Sequence, residues 1–238
     1  MFFCRTGACL SLMPGFSSNR IPVRIRLFLS LSITLALAPL LLPEGERAVR
    51  EASASALLPL FASEMVIGLL IGFLARIFFG ALETLSGAIA MSIGLTSPLA
   101  GPLDEHEPLP AVTNLYMFSA TALIFFTGLH LEVIRGLAAS YAAFPISSMI
   151  DPRFGLVQIS DCLANAFSVS LRISSPFVVY SFLVNLAIGL ASKLVPQIPL
   201  YFITAPAVLA GGLIFLYLTC KPFLQMFYAA FSAWLVAG

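Results

Sequence analysis

The sequence predicts an all-α, polytopic membrane protein built from hydrophobic helices, several of them broken. Three observations carry this. Of the 238 residues, 60% are apolar and only 10% are charged, against about 25% charged in an ordinary soluble domain. The charges are spaced so that uncharged runs approach or exceed the roughly 20 residues needed to cross a bilayer as a helix. Prolines and glycines then cut some of these runs where a straight helix is least tolerated. The net charge of +1 offers no overall basic character for nucleic acid.

The opening stretch, Met1 to Phe16, is apolar but lacks a basic leader and an A-x-A cleavage signal. It is too short to span alone, and reads as part of a hydrophobic helix whose beginning is truncated. Arg20, Arg24 and Arg26 precede the uncharged run Leu27 to Pro43, and favour the cytoplasm for the loop that carries them. Glu44 to Glu51 is expected as a polar loop. Phe61 to Leu95 is apolar but interrupted by Glu64, Arg76 and Glu83. Phe61 to Ser97 lacks proline, and as one helix it would run about 55 Å, against a hydrocarbon core of about 30 Å. It is therefore expected to break, tilt or leave the bilayer.

Ser97 to Pro110 holds four prolines and three acids, a density that cannot sit within a helix. Pro108 to Leu129 is uncharged. Gly136 to Asp161 is less hydrophobic and reads as amphipathic or loop-like. Ile173 to Ser192 is a clean run between Arg172 and Lys193, and Pro222 to Gly238 closes the chain. Leu194 to Cys220 carries no charge before Lys221 but contains Pro196, Pro199 and Pro206. Pro196 and Gln197, with Pro206, are expected to shape a helix break at a subunit contact. Proline removes an amide donor, and the Gln197 side chain can bond the freed carbonyls. Broken helices at membrane depth are tolerated when packed in protein or lining a wet cavity, which points to an assembly interior.

Charged residues in apolar context are costly and usually have partners or a function. Arg76 and Glu83 lie seven residues apart and share a helix face. That face meets water or a partner subunit, or else the two side chains snorkel to an interface. Glu132 and Arg135 form an i,i+3 pair beside His130, consistent with a helix-end ion pair, a subunit contact or a proton relay through His130. Gly68 and Gly72, with Gly80, Gly87, Gly94, Gly211 and Gly212, supply small residues for close helix approach. Cys4, Cys9, Cys162 and Cys220 form no CxxC and read as small apolar residues. His106 and His130 have no ligand-spaced partners. No nucleophile–base constellation, phosphate loop or metal spacing is present, so neither an enzyme, a cofactor nor a metal is expected.

Four segments resemble the FliR family, the flagellar type III export-gate subunit related to injectisome export components. They are Ile21 to Pro39 (behind Arg5 and Pro14), Gly87 to Pro98, Gly128 to Ile146 and Val195 to Leu213. Their order and spacing cover almost the whole chain as a single export domain, 1–238. The resemblance implies helical hairpins within a hetero-oligomeric gate in the bacterial inner membrane, at the flagellar basal body. Its partners would be FliP-like and FliQ-like subunits and an FlhB-like protein, and unfolded flagellar proteins would pass through. It also implies a pore plug at Gly94 to Pro110. Gly94, Leu95, Pro98, Leu99, Gly101, Pro102 and Leu103 would close the channel, and Asp104, Glu105 and Glu107 would mark its wet end. Two other readings stay open: an injectisome component of the same kind, and a small-solute transporter with broken helices at the midplane. The transporter reading requires inverted repeats, which the sequence does not display.

Overall fold

Seven α-helices, and no strand, occur among the described residues of the computed structural model, which are 1–17, 21–51, 54–95, 110–145, 152–195, 197 and 200–237. They are α1 (Phe2–Leu12), α2 (Val23–Glu51), α3 (Ala54–Ser92), α4 (Ala111–Phe126), α5 (Leu129–Ala143), α6 (Pro152–Leu194) and α7 (Leu200–Ala237). Four contain segments long and apolar enough to cross a membrane: Val23–Leu42, Leu57–Ser92, Gly155–Leu194 and Phe202–Leu235. The bent pair α4 and α5 makes a fifth candidate if counted as one span. The predicted all-α membrane class is therefore the observed one, with the helix boundaries redrawn.

Two expectations about breaks change, and a third narrows. Glu44 to Glu51, expected as a loop, lies within α2. α3 runs unbroken for 39 residues, about 58 Å at 1.5 Å per residue, so it meets its length by tilting or by leaving the hydrocarbon rather than by breaking. α7 continues through Pro206 and Pro222, α6 through Pro176, and α3 through Pro59. Each proline forfeits one amide bond without ending its helix, as helices in apolar surroundings allow when neighbouring groups take up the freed carbonyls. Gly136 to Ala143, expected as amphipathic or loop-like, forms the last half of α5.

Two helix boundaries rest on left-handed glycines. At the end of α3, Gly94 (φ 78°) donates to Met91 O at 3.1 Å and Leu95 donates to Ala90 O at 3.0 Å. That pair of bonds is a Schellman cap, which needs a residue free to adopt positive φ. Between α4 and α5, Gly128 (φ 76°) makes the bend, and its carbonyl accepts from the Leu131 amide at 2.9 Å. The break in this bent pair therefore falls at a glycine, where sequence reasoning looked to prolines.

The helices gather into two compact units. The first comprises Met1–Phe79, Ile124–Asn165 and Ser232–Gly238. Leu41 and Tyr141 are buried there, with Phe2, Leu37 and Leu60 packed against them. The second comprises Gly80–Leu123 and Ala166–Phe231. In it Phe177 meets Phe215 edge-on, and the Tyr180 hydroxyl donates to Val208 O at 2.8 Å. Contacts that rise along α6 as they fall along α7 make these two an antiparallel hairpin. Tyr116 stacks on Phe223 with ring centroids 3.9 Å apart. A Cβ on Gly212 would lie 2.5 Å from Ile93 Cβ, so this glycine seats the end of α3 against α7.

Candidate functional site

The strongest electrostatic feature of the first unit is a buried ion pair between Arg5 of α1 and Glu64 of α3. Neither side chain has exposed surface. Arg5 Nε donates to Glu64 Oε2 at 2.9 Å, and an Arg5 Nη2 hydrogen is donated to Glu64 Oε1 at 2.6 Å. The planar guanidinium matches the carboxylate with two parallel bonds, the geometry that makes such pairs strong. Nη2 also donates to Phe144 O at 3.0 Å, and Nη1 donates to Ser140 Oγ at 3.2 Å. The face of the guanidinium lies 3.9 Å from the centroid of the Tyr141 ring, within cation–π range. One cation thus joins α1, α3 and the end of α5.

The sequence builds this joint with a simple helical stripe. Glu64, Gly68 and Gly72 recur every four residues on α3 and so share one face; Arg5 and Cys9 do the same on α1. A Cβ on Gly68 would lie 2.2 Å from Arg5 O, and one on Gly72 would lie 2.5 Å from Cys9 O. The two glycines let the backbones touch, and that approach brings the short reach of Glu64 within bonding distance of Arg5. The small-xxx-small signal of Gly68 and Gly72 therefore has α1 as its partner.

The intramembrane charges singled out from sequence fall elsewhere. Arg76 is exposed and Glu83 half-buried. Glu132 and Arg135 do pair locally, at 2.5 Å, with side chains 40% and 73% exposed. His130 lies against Phe125, ring centroids 5.3 Å apart, and its buried Nδ1 has no hydrogen-bond partner among the described residues. None of these groups joins the Arg5–Glu64 cluster. Of the plug residues, Gly94 and Leu95 form the cap of α3, while Pro98, Leu99, Gly101, Pro102 and Leu103 lie outside the described residues. Pro196 also lies outside them; Gln197 sits exposed at a turn between α6 and α7. Pro206 is exposed within α7.

Sequence reasoning named Arg5 and Glu64 only in passing. The signal that finds them is a lone acid followed by glycines at i+4 and i+8 in an otherwise apolar run, with a lone arginine in a second short apolar helix. The cluster carries no nucleophile with a neighbouring base. Its chemistry is that of a structural joint: four of the five guanidinium N–H donors and both carboxylate oxygens are engaged.

Comparison with known proteins bears on the whole chain. The flagellar biosynthetic protein FliR of Caulobacter vibrioides is 30% identical over 214 residues, covering 90% of this chain and 84% of that protein. The FliR of Escherichia coli is 26% identical over 209 residues, covering 88% and 78%. The Yop proteins translocation protein T of Yersinia pestis is 28% identical over 222 residues, covering 90% and 82%. The family model described as bacterial export proteins, family 1, matches residues 1–234; with relatives of this kind along nearly its full length, the chain belongs to that family, as its resemblance to FliR implied.

Proposed function

We infer that this chain is a membrane subunit of a type III protein-export gate, helping to form the channel through which unfolded proteins cross the bacterial inner membrane. The observation that carries this reading is the family match over residues 1–234, in a chain with at least four apolar helices long enough to cross a membrane. A single model matched over that length supports one export domain. The flagellar version of the gate, at the basal body, is favoured by FliR relatives at 30% and 26% identity. The 28% identity to the Yersinia translocation protein supports the injectisome version as the second reading. Restoration of motility in a flagellar mutant lacking its own subunit separates them.

The partners are FliP-like and FliQ-like subunits with an FlhB-like protein, and the work is structural, without catalysis. In the candidate spans of α6 and α7, only 17% and 11% of the most apolar window is buried within this chain. Phe182, Leu183, Phe202 and Leu218 are all more than half exposed. Such faces suit helix packing against other subunits. Co-expression with the FliP-like and FliQ-like subunits is expected to yield one stable complex in detergent, and the chain expressed alone to aggregate. A stable, monodisperse protomer obtained alone would count decisively against this reading.

The segment from Gly94 to Pro110 is proposed to close the pore. The Schellman cap at Gly94 ends α3, and the sequence beyond it is rich in proline, which has no amide hydrogen to give to a helix or sheet ladder. Deleting residues 97–103 is expected to make membranes leak small ions or dyes when the partner subunits are present, and not in their absence. Normal assembly with no added leak would leave the segment an ordinary connector.

A further inference from the structure

Ile173 to Ser192 is the uncharged run of α6 long enough to cross a bilayer: 20 residues between Arg172 and Lys193, about 30 Å at 1.5 Å per residue. Six polar side chains lie within it. Four of them are satisfied by this chain. Ser174, Ser175 and Ser192 each donate to a carbonyl three residues back, and Tyr180 donates to Val208 O. Ser181 and Asn185 are arranged differently. Asn185 Nδ2 donates to Ser181 O at 2.8 Å and to Ser181 Oγ at 3.2 Å. A carbonyl can only accept, so this bond fixes which end of the amide is tied to the helix. The Ser181 hydroxyl hydrogen and Asn185 Oδ1 are left without partners among the described residues. One donor and one acceptor, four positions apart on one face, stay open at membrane depth.

We propose that this side of α6 seats a helix of a partner subunit carrying a carboxamide or hydroxyl side chain, which accepts from Ser181 Oγ and donates to Asn185 Oδ1. The source of the partner rests on the export-gate reading; its chemistry is set by these two residues.

Other occupants fail on physical grounds. Asn185 is exposed and lies 13 residues from Arg172 and eight from Lys193. Those separations are about 20 and 12 Å along the axis, so its short side chain cannot reach the water or headgroups at either end. Hydrocarbon offers no donor, and an unsatisfied polar group there is costly. A second copy would share this chain's orientation in the membrane. A two-fold contact on this face would then set Asn185 against Asn185, acceptor against acceptor. A carboxamide or hydroxyl holds both a donor and an acceptor, as the open pair requires. The shape of the face agrees. Gly189 lies one turn beyond Asn185, and a Cβ there meets nothing within 4 Å, which leaves room for close backbone approach. Val178 and Phe182, both more than half exposed, supply apolar contact beside the amide.

The complex of the full chain with its FliP-like and FliQ-like subunits is assembled with a benzophenone amino acid in place of Phe182, then irradiated. Mass spectrometry of the adduct is expected to show a cross-link to an apolar helix of a partner subunit, about one turn from an Asn, Gln, Ser or Thr. Asn185→Leu is expected to weaken the complex about three- to tenfold, read as partner subunit retained on dilution in detergent. A lipid-facing position would give the opposite sign, since leucine suits hydrocarbon better than asparagine. Ser192→Ala is the control and should match the parent, because that hydroxyl is committed to Gly189 O. An apolar replacement of the partner's polar residue should cost as much as Asn185→Leu, and the two together no more than either. A cross-link between two copies or to lipid alone overturns the proposal, as does unchanged or stronger retention with Asn185→Leu, or full additivity of the two replacements. In each of those cases the parent complex still forms and the export-gate reading stands. A parent chain that forms no complex with these subunits overturns both.

Discussion

Glu64→Leu is expected to destabilise the subunit severely, and Arg5→Met/Glu64→Leu to restore most of the loss. The single variant leaves the Arg5 guanidinium without surface exposure and without its carboxylate. Breaking a buried pair in this way costs about 3–5 kcal/mol, whereas replacing both partners by apolar residues of similar volume is often neutral. The surroundings add a sharper test. Arg5 also donates to Phe144 O and lies on the face of Tyr141, both of which attract a cation. The reversal Arg5→Glu/Glu64→Arg would set a carboxylate against a carbonyl oxygen and the negative face of a ring. It is therefore expected to remain unstable although the pair is formally kept. The checks are the amount of subunit retained in membranes and the melting temperature of the purified complex. Glu64→Leu as stable as the parent would remove the ion pair from the account, and full rescue by the reversal would remove the part assigned to α5.

Much of this architecture is legible in the sequence because the bilayer imposes few solutions. Uncharged runs of sufficient length locate α2, α4, α6 and α7, since an apolar segment in lipid must satisfy its own amides as a helix. Breaks were harder to place. Proline removes one donor and crowds one carbonyl, which suggested that Pro206 ends a helix. In α7 the chain continues through it, because the remaining bonds on either side outweigh one lost bond where no water competes for them. The break at Gly128 was invisible to the same reasoning, since a glycine in an apolar run signals close packing as readily as a left-handed turn. The polar stretch Glu44 to Glu51 reads as a loop from composition, yet helix α2 extends through it; composition reports affinity for water, and helix formation outside the hydrocarbon is compatible with that affinity.

The site was legible only in pieces. Charges on one helix at i,i+3 are easy to pair by eye, and Glu132 with Arg135 is such a pair. Arg5 and Glu64 are 59 positions apart, and nothing in either local sequence states that α1 lies on α3. The missing information is tertiary. Gly68 and Gly72 hold it in part: they say that some backbone comes very close to this face, and the structure identifies that backbone as Arg5 to Cys9.

Gly68→Ala is the substitution that tests this joint most directly, and it is expected to separate α1 from α3. The added methyl would lie 2.2 Å from Arg5 O and 2.9 Å from Arg5 C and Cα. These are backbone atoms, so no side chain can swing away; the helix must move as a body. Overpacking in a well-filled interior costs roughly 1–3 kcal/mol, and the displacement also pulls Arg5 from Glu64, whose bonds are made at 2.6 and 2.9 Å. Gly72→Ala should act in the same direction, its methyl 2.5 Å from Cys9 O and 3.1 Å from Leu12 Cβ. Intrinsic propensity runs the other way, since alanine is favoured over glycine in a helix by about 1 kcal/mol. Gly80→Ala isolates that term: a Cβ there meets nothing within 4 Å, so this variant should be neutral or slightly stabilising. The three are compared by membrane level of the subunit, by melting temperature of the complex, and by protease sensitivity of α1. The expected order is Gly68→Ala and Gly72→Ala below the parent, with α1 newly cleavable, and Gly80→Ala at or above it. Should Gly68→Ala match Gly80→Ala in all three measurements, the close approach of α1 to α3 would be wrong, and with it the geometry that brings Arg5 to Glu64.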